Sequence, residues 1–187
     1  MSHYHPEDFK HLSSEHKSNT PENIRDLWQT PKQIFNKLDD EFNFTFDVAA
    51  SNENSLCSEF WAEKDNALEN RWDRVNWCNP PYSDITPWVK KAIEQHEAGR
   101  TTVMLVPADT SVKWFKLAYD TCNEVRFISG RISFINAETQ RSVNGNNKGS
   151  VLFIWKAYAP KNSHTVTLIN RDDFYESNVN NRPHKDS

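Results

Sequence analysis

Asn79-Pro80-Pro81-Tyr82 is the stretch in which residue type and spacing first suggest chemistry. An asparagine side-chain oxygen accepts a hydrogen bond, a proline carbonyl accepts a second, and a tyrosine ring offers a stacking face. The two prolines fix φ and carry no N–H. Two acceptors without a competing donor would grip the exocyclic amine of a flat base and leave its nitrogen lone pair free to attack an electrophile. Asn-Pro and Pro-Pro pairs also mark ordinary turns, and the run lacks the intervening residue of a Pro-Pro-x-Tyr docking peptide. The surrounding elements decide between these readings.

Val75-Asn76-Trp77-Cys78 before the tetrapeptide reads as a strand, and Thr86-Pro87 after it as the cap and first turn of a helix. The site thus falls at a strand's carboxyl end, where open α/β sheets bind ligands. That helix buries Trp88, Val89, Ala92 and Ile93 and stops at Gly99. Upstream, Thr30-Pro31-Lys32-Gln33 reads as N-cap, first-turn proline and capping-box glutamine of a helix with Ile34, Phe35, Leu38 and Phe42 on one face. Phe44, Phe46 and Val48 alternate as a strand ending in Asp47-Val48-Ala49-Ala50, and Glu59 to Ala62 adds a short one.

Downstream, Thr101 to Val106 is a continuous apolar strand. A helix capped at Thr110 or Ser111 buries Trp114, Phe115 and Ala118 and leads to strand Glu124 to Ile128. This alternation predicts an α/β fold with a mainly parallel sheet. Arg131 to Ile135 and Ser150 to Lys156 are expected to form an antiparallel hairpin at the sheet edge, around a polar loop, Glu138 to Gly149, that is a candidate for target recognition. Val166 to Ile169 is a last strand. Trp28, Trp88 and Trp114 read as core. Residues 1–25 are expected to be a mobile arm, 26–170 the folded domain and 171–187 a tail, disordered from Asn178 on.

At 187 residues and 36% hydrophobic, the chain suits one domain with a real core. It has no apolar stretch near the roughly 20 residues of a membrane helix, so no membrane partner and a cytoplasmic setting are expected. Cys57, Cys78 and Cys122 have neither disulfide nor metal-ligand spacing. The net charge of −4 does not advertise a nucleic-acid binder. Arg126, Arg131, Arg141 and Lys148 gather in one third of the chain, with Lys90, Lys91 and Arg100 elsewhere, and read equally as solvated charge or phosphate contacts.

Trp28-Gln29-Thr30-Pro31, Asp47-Val48-Ala49-Ala50, Asn79-Pro80-Pro81-Tyr82 and Gly130-Arg131-Ile132-Ser133-Phe134, in this order, resemble the phage-type DNA N-6-adenine methyltransferases related to Dam. The likeness spans about residues 27 to 157. It implies a Rossmann-like methyltransferase sheet, shortened here because only 28 positions separate Ala50 from Asn79. It also implies S-adenosylmethionine as methyl donor, double-stranded DNA as partner, a monomer or weak dimer, and no metal.

Carried over residue by residue, the resemblance makes Asn79 and the Pro80 carbonyl the amine acceptors, Pro81 the loop brace and Tyr82 the platform for a flipped adenine. Trp28, Gln29, Thr30, Pro31, Asp47, Ala49 and Asn79 become donor-binding candidates, with Asp65 as an acid for the ribose or purine. Glu63, Glu69 and Asp73 compete with Asp65. Gly130-Arg131 reads as a tight turn aiming a cation at phosphate, with Arg141 and Lys148 as further DNA contacts.

The chain departs from the family pattern twice. The turn Val48-Ala49-Ala50-Ser51 lacks the usual glycines, and Asn79 stands where Dam-like enzymes more often have aspartate, keeping the acceptor but not the charge. The same site would also suit an adenine in RNA or a protein glutamine amide. A third reading is a non-catalytic binder of S-adenosylmethionine or DNA, acting as a restriction decoy.

Overall fold

The computed structural model describes residues 28–136, 139–142, 148–160 and 163–176. In chain order the elements are β1 (Trp28–Gln29), α1 (Lys32–Phe42), β2 (Phe46–Ala50), β3 (Phe60–Ala62), β4 (Val75–Cys78), α2 (Thr86–Glu97), β5 (Thr101–Pro107), α3 (Lys113–Thr121), β6 (Glu124–Ser129), β7 (Ile135–Asn136), β8 (Ser150–Trp155) and β9 (Thr165–Asn170). Seven strands form one sheet in the order β3-β2-β4-β5-β8-β6-β9. Six run in one direction; β8 lies antiparallel to both β5 and β6. The carboxyl ends of those six strands therefore share a single rim.

The predicted α/β class and mainly parallel sheet are present, but the antiparallel element sits elsewhere than expected. Ser150–Trp155 is fully buried in the sheet interior, not at an edge. Its six apolar or small residues have no polar alternation, as fits a strand covered on both faces. Arg131 to Phe134 forms no strand, and Ile135–Asn136 pairs instead with Trp28–Gln29 in a separate two-stranded ribbon. That ribbon becomes important at the active site.

The three helix faces were legible. Ile34, Phe35 and Leu38 of α1, Val89 and Ala92 of α2, and Trp114, Phe115, Leu117 and Ala118 of α3 are buried. The stop of α2 at Gly99, φ +77° just past Glu97, was legible too, but the amino-terminal ends were not. Pro31 itself occupies the N-cap of α1 at φ −57° and ψ 135°, so Thr30 lies one residue too early to cap it. Ile85 precedes α2 and Val112 precedes α3, and no side chain caps any of the three. Thr86 is helical, and Ser111 bonds Asp109 instead.

Trp28 and Trp114 are buried and Trp88 packs on Trp72, so all three serve the core as expected. The folded unit runs past residue 170, because Phe174 of the turn Arg171–Phe174 is buried in the core. The expected arm and the tail from Asn178 lie outside the described residues.

Several cations counted as possible phosphate ligands are structural. Arg126 donates to both Glu41 oxygens at 2.7 and 2.6 Å and through Nε to Glu124 at 2.6 Å, and lies 5.4 Å from the Phe42 ring centre. It fastens α1 to β6. Arg100 donates to the Trp72 and Ala98 carbonyls, and Lys91 is buried against Glu94. Arg126→Ala is expected to cost about 1–2 kcal/mol in urea unfolding, since the Glu41 side of the pair is open to water. Loss below 0.5 kcal/mol would show that α1 is held by its apolar face alone.

Candidate active site

β4 ends at Cys78 and delivers Asn79 to the carboxyl rim. The Asn79 Nδ2 donates to the Trp28 carbonyl at 2.9 Å, and Oδ1 is buried without a partner among the described residues. One half of the amide is thus anchored and the other is a spare acceptor, as an amine-gripping asparagine requires. The Trp28 carbonyl is held in turn by the β1–β7 ribbon, whose register pairs Trp28 with Asn136.

Tyr82 does not offer the open stacking face expected of it. It is only 9% exposed, and its hydroxyl points inward at the Leu105 carbonyl, 3.5 Å away. Its ring meets Trp28 edge-on at 5.9 Å and Phe134 at 6.0 Å, while Trp28 and Phe134 stack at 5.6 Å and 17°. Burial pushes the phenol well above its ordinary range, so it stays neutral. The three rings form the floor under the acceptor loop. Phe134, 1% exposed, is the member whose packing role the sequence did not reveal; only its place in the Gly130-to-Phe134 motif hinted at it. Pro80 is buried and Pro81 half-buried beside them.

Asp47 lies on β2, next to β4, with Trp77 opposite it. Its carboxylate accepts from the Ala49 N–H at 3.3 Å and the Leu56 N–H at 3.1 Å, shaping the turn after β2. Burial raises its pKa from 3.8 to about 6, although the Leu56 and Ala49 bonds pull it down. Asp65 similarly accepts from the Ala62 N–H at 2.9 Å and closes the turn after β3. Ala49 is half-buried on the same rim.

The Trp28–Pro31 segment carries a cluster of unmet hydrogen-bonding groups. Trp28 Nε1, Gln29 Nε2 and Thr30 Oγ1 are buried and unpartnered among the described residues, and Thr30 is only 4% exposed. Unpaired buried groups are costly, so a run of them beside a spare acceptor suits a ligand's polar atoms.

The remaining candidates share the rim. Gly130 has φ +86°, and a Cβ there would stand 3.2 Å from that of Arg171; the turn needs glycine for both reasons. Arg131 is exposed, and its carbonyl accepts from Arg171 at 3.2 Å. Lys148 pairs with Asp109 just past β5. Burial would raise the Asp109 pKa, but Lys148 and Ser111 overcome this and hold it at about 2. Arg141 is exposed beside the ribbon, its carbonyl taking the Asn136 N–H. The loop Glu138 to Gly149, the candidate for target recognition, is described only at 139–142 and from 148 on.

A mainly parallel sheet with an anchored asparagine loop at one strand end and a buried carboxylate on the neighbouring strand is a Rossmann-like arrangement, with its ligand rim at the strands' carboxyl ends. The family follows from sequence comparison. The chain belongs to the DNA N-6-adenine-methyltransferase (Dam) family, whose sequence model matches residues 17–180. It is 40% identical over 157 residues to a DNA N-6-adenine-methyltransferase of Escherichia phage T1, covering 74% of this chain and 66% of that protein, or about two thirds of its length. It is 34% identical over 168 residues to a protein of the same name from Haemophilus phage HP1 (strain HP1c1), covering 87% and 97%. Among the described residues no helix is long and apolar enough to cross a membrane.

Proposed function

We propose that the chain methylates the exocyclic amine of an adenine in double-stranded DNA, using S-adenosylmethionine as donor. The observation that carries this is the Asn79 amide: its nitrogen is fixed on the Trp28 carbonyl and its buried oxygen is unspent. When bound, S-adenosylmethionine supplies an electrophilic sulfonium methyl. Asn79 Oδ1 and the Pro80 carbonyl accept the two amine hydrogens, which orients the nitrogen lone pair and stabilises the positive charge that grows on it during attack. With the donor bound, the amine nitrogen would take up its methyl group, the donor would leave as a neutral thioether and the amine proton would pass to water. The aromatic floor of Trp28, Tyr82 and Phe134 holds the acceptor loop, and the target leaves the duplex stack to reach it.

The residues present fit the donor. Among the described residues Thr30 Oγ1, Gln29 Nε2 and Trp28 Nε1 are unpartnered groups suited to its carboxylate, and Asp47 is a buried carboxylate on the strand beside β4 for its ammonium. Asp65 shapes the next strand end, where a ribose would fall.

Tritiated-methyl transfer to unmethylated DNA, RNA and protein tests the reading, with label expected in DNA alone. Label in RNA or protein instead, or none above the Asn79→Ala level, would overturn it.

The Asp47 pKa gives a second test. Because the folded value is raised, the folded chain holds this proton more tightly than the unfolded one. The stability it contributes is full below pH 3.8 and lost as pH rises through about 6. Donor binding has the opposite sign, since only the ionised carboxylate attracts the ammonium. Calorimetry should show affinity for S-adenosylmethionine falling several-fold from pH 7.5 to pH 5, and Asp47→Asn should flatten that dependence. An equal fall in Asp47→Asn would remove Asp47 from the donor site.

A further inference from the structure

The sheet ends in an unguarded edge. β9 is its last strand and, among the described residues, pairs only with β6, in parallel. The Thr165 N–H donates to the Asn123 carbonyl, so in a parallel ladder Thr165, Thr167 and Ile169 turn their backbone groups toward β6, while Val166 and Leu168 turn theirs outward. The strand runs Thr-Val-Thr-Leu-Ile-Asn over six residues and carries no charge and no proline, the usual guards of an edge. The opposite edge is the three-residue β3, half-buried along its length.

Apolar exposure converges on the same place. Val166 is 47% and Leu168 72% exposed, and the other large hydrophobic side chains left open among the described residues are Tyr119, Tyr158 and Tyr175. Tyr158 lies in the turn before β9 and Tyr175 in the turn after it. The Tyr119 ring meets that of His164, the residue preceding the strand, at 4.6 Å. Val166 and Leu168 lie in register with Val125 and Phe127, and Phe127 packs on Phe115 of α3. They therefore extend the sheet face that α3 covers, past the helix itself. An apolar strip beside outward-facing backbone groups marks an interaction surface.

We propose that β9 pairs antiparallel with β9 of a second copy of this chain, around a two-fold axis normal to the sheet at Thr167. The register follows from the backbone. Val166 and Leu168 aim outward, so Val166 of each copy exchanges both hydrogen bonds with Leu168 of the other, and the two Thr167 residues face each other as a non-hydrogen-bonded pair. The side chains agree with it, because an axis normal to the sheet keeps both α3 faces on one side and closes the two valines and two leucines into one apolar cluster. Parallel pairing of the two strands would need an axis along them, which sets their apolar sides on opposite faces. The strand thus complements itself and holds no charge to repel a copy, which singles out a second copy as its occupant. The contact is isologous and uses up the edge, so assembly stops at two. Six residues and a few flanking side chains cover less than the roughly 1,600 Å² of a standard interface, so the dimer is weak, with a dissociation constant of about 10 μM. Strand direction reverses across the axis, so the two carboxyl rims with their Asn79 residues point opposite ways and each copy keeps its own site.

Sedimentation equilibrium of the full chain, without DNA, from about 1 to about 200 μM tests this, and the weight-average mass should rise from one protomer toward two. Leu168→Pro removes an outward N–H while leaving the bonds to β6 in place, and Leu168→Lys sets a charge into the apolar cluster. Each should weaken the dimer by about tenfold or more, with thermal melts establishing that the variants are folded. Thr167→Cys gives an independent readout that does not disturb the edge. Facing residues of a non-hydrogen-bonded pair lie about 4.5 Å apart at Cα, within disulfide range. Mild oxidation should therefore cross-link Thr167→Cys into a covalent dimer about tenfold faster than Thr165→Cys, whose counterpart in the second copy is Ile169. A chain that stays monomeric at the highest concentration, or a dimer indifferent to both Leu168 variants, overturns the pairing. Equal cross-linking at positions 165 and 167 overturns the register. Methyl transfer plays no part in any of these readings, so they stand or fall apart from the catalytic proposal.

Discussion

Asn79→Ala lowers kcat for DNA methylation by about 10²–10³ at saturating donor, the loss typical of one preorganised polar contact to a developing charge. Asn79→Asp is more informative, because aspartate is the residue more familiar at this position among Dam-like enzymes. In this chain the Asn79 nitrogen donates to the Trp28 carbonyl at 2.9 Å. A carboxylate would set a second acceptor against that carbonyl and swing away or take up a proton. We therefore expect Asn79→Asp to lose about tenfold or more in kcat at pH 8 and to recover part of it as pH falls. Protonated aspartate has one oxygen to accept the amine and a hydroxyl to donate to Trp28, as the amide does. An Asn79→Asp enzyme as active as wild type at pH 8 would mean that the Trp28 bond does not orient the acceptor.

How much of this was legible depends on the range of the interaction. The strand before the tetrapeptide and the buried helix faces are set by neighbours a few residues apart, and those signals held. The sheet order is set by contacts far apart in sequence, so the strand Ser150–Trp155 read correctly as a strand and wrongly as an edge. Its unbroken apolar run was the available sign of a covered, central strand. Thr30 shows a subtler miss. The Thr-Pro pair reads as a helix cap, but Pro31 takes the cap position and leaves the Thr30 hydroxyl buried and without a partner among the described residues. A local capping signal failed where the chain carries this buried hydroxyl.

Tyr82 and Phe134 illustrate the same limit. A tyrosine in an acceptor motif invites a stacking role, yet the hydroxyl reaches the Leu105 carbonyl and the ring turns its edge to two aromatics. One of these is 52 residues away in sequence, at Phe134, and the other is Trp28. Arg126, grouped in the sequence with potential phosphate ligands, likewise found Glu41, a partner 85 residues away. Charge partners at such separations leave no periodic trace.

The largest stability effect should come from Trp28→Ala, and it should carry activity with it. β1 has only two residues and pairs only with the two of β7, so backbone bonds alone hold it weakly. What fixes it is the indole, stacked on Phe134 and met edge-on by Tyr82. Truncation at this buried position is expected to cost about 3 kcal/mol in chemical unfolding. It should also lower kcat by about 10²-fold, since the carbonyl that aims Asn79 then loses its mooring and misplacement by an ångström is that expensive. Trp28→Phe separates the roles in part: it keeps an aromatic ring against Phe134 while losing one ring of the indole with its N–H, which is unpartnered among the described residues. It should restore a large share of the stability and kcat that Trp28→Ala loses, the remaining stability loss being the small cavity left by the missing ring. If Trp28→Ala unfolds as predicted yet the folded fraction turns over at the wild-type rate, the ribbon supports the fold without positioning the acceptor.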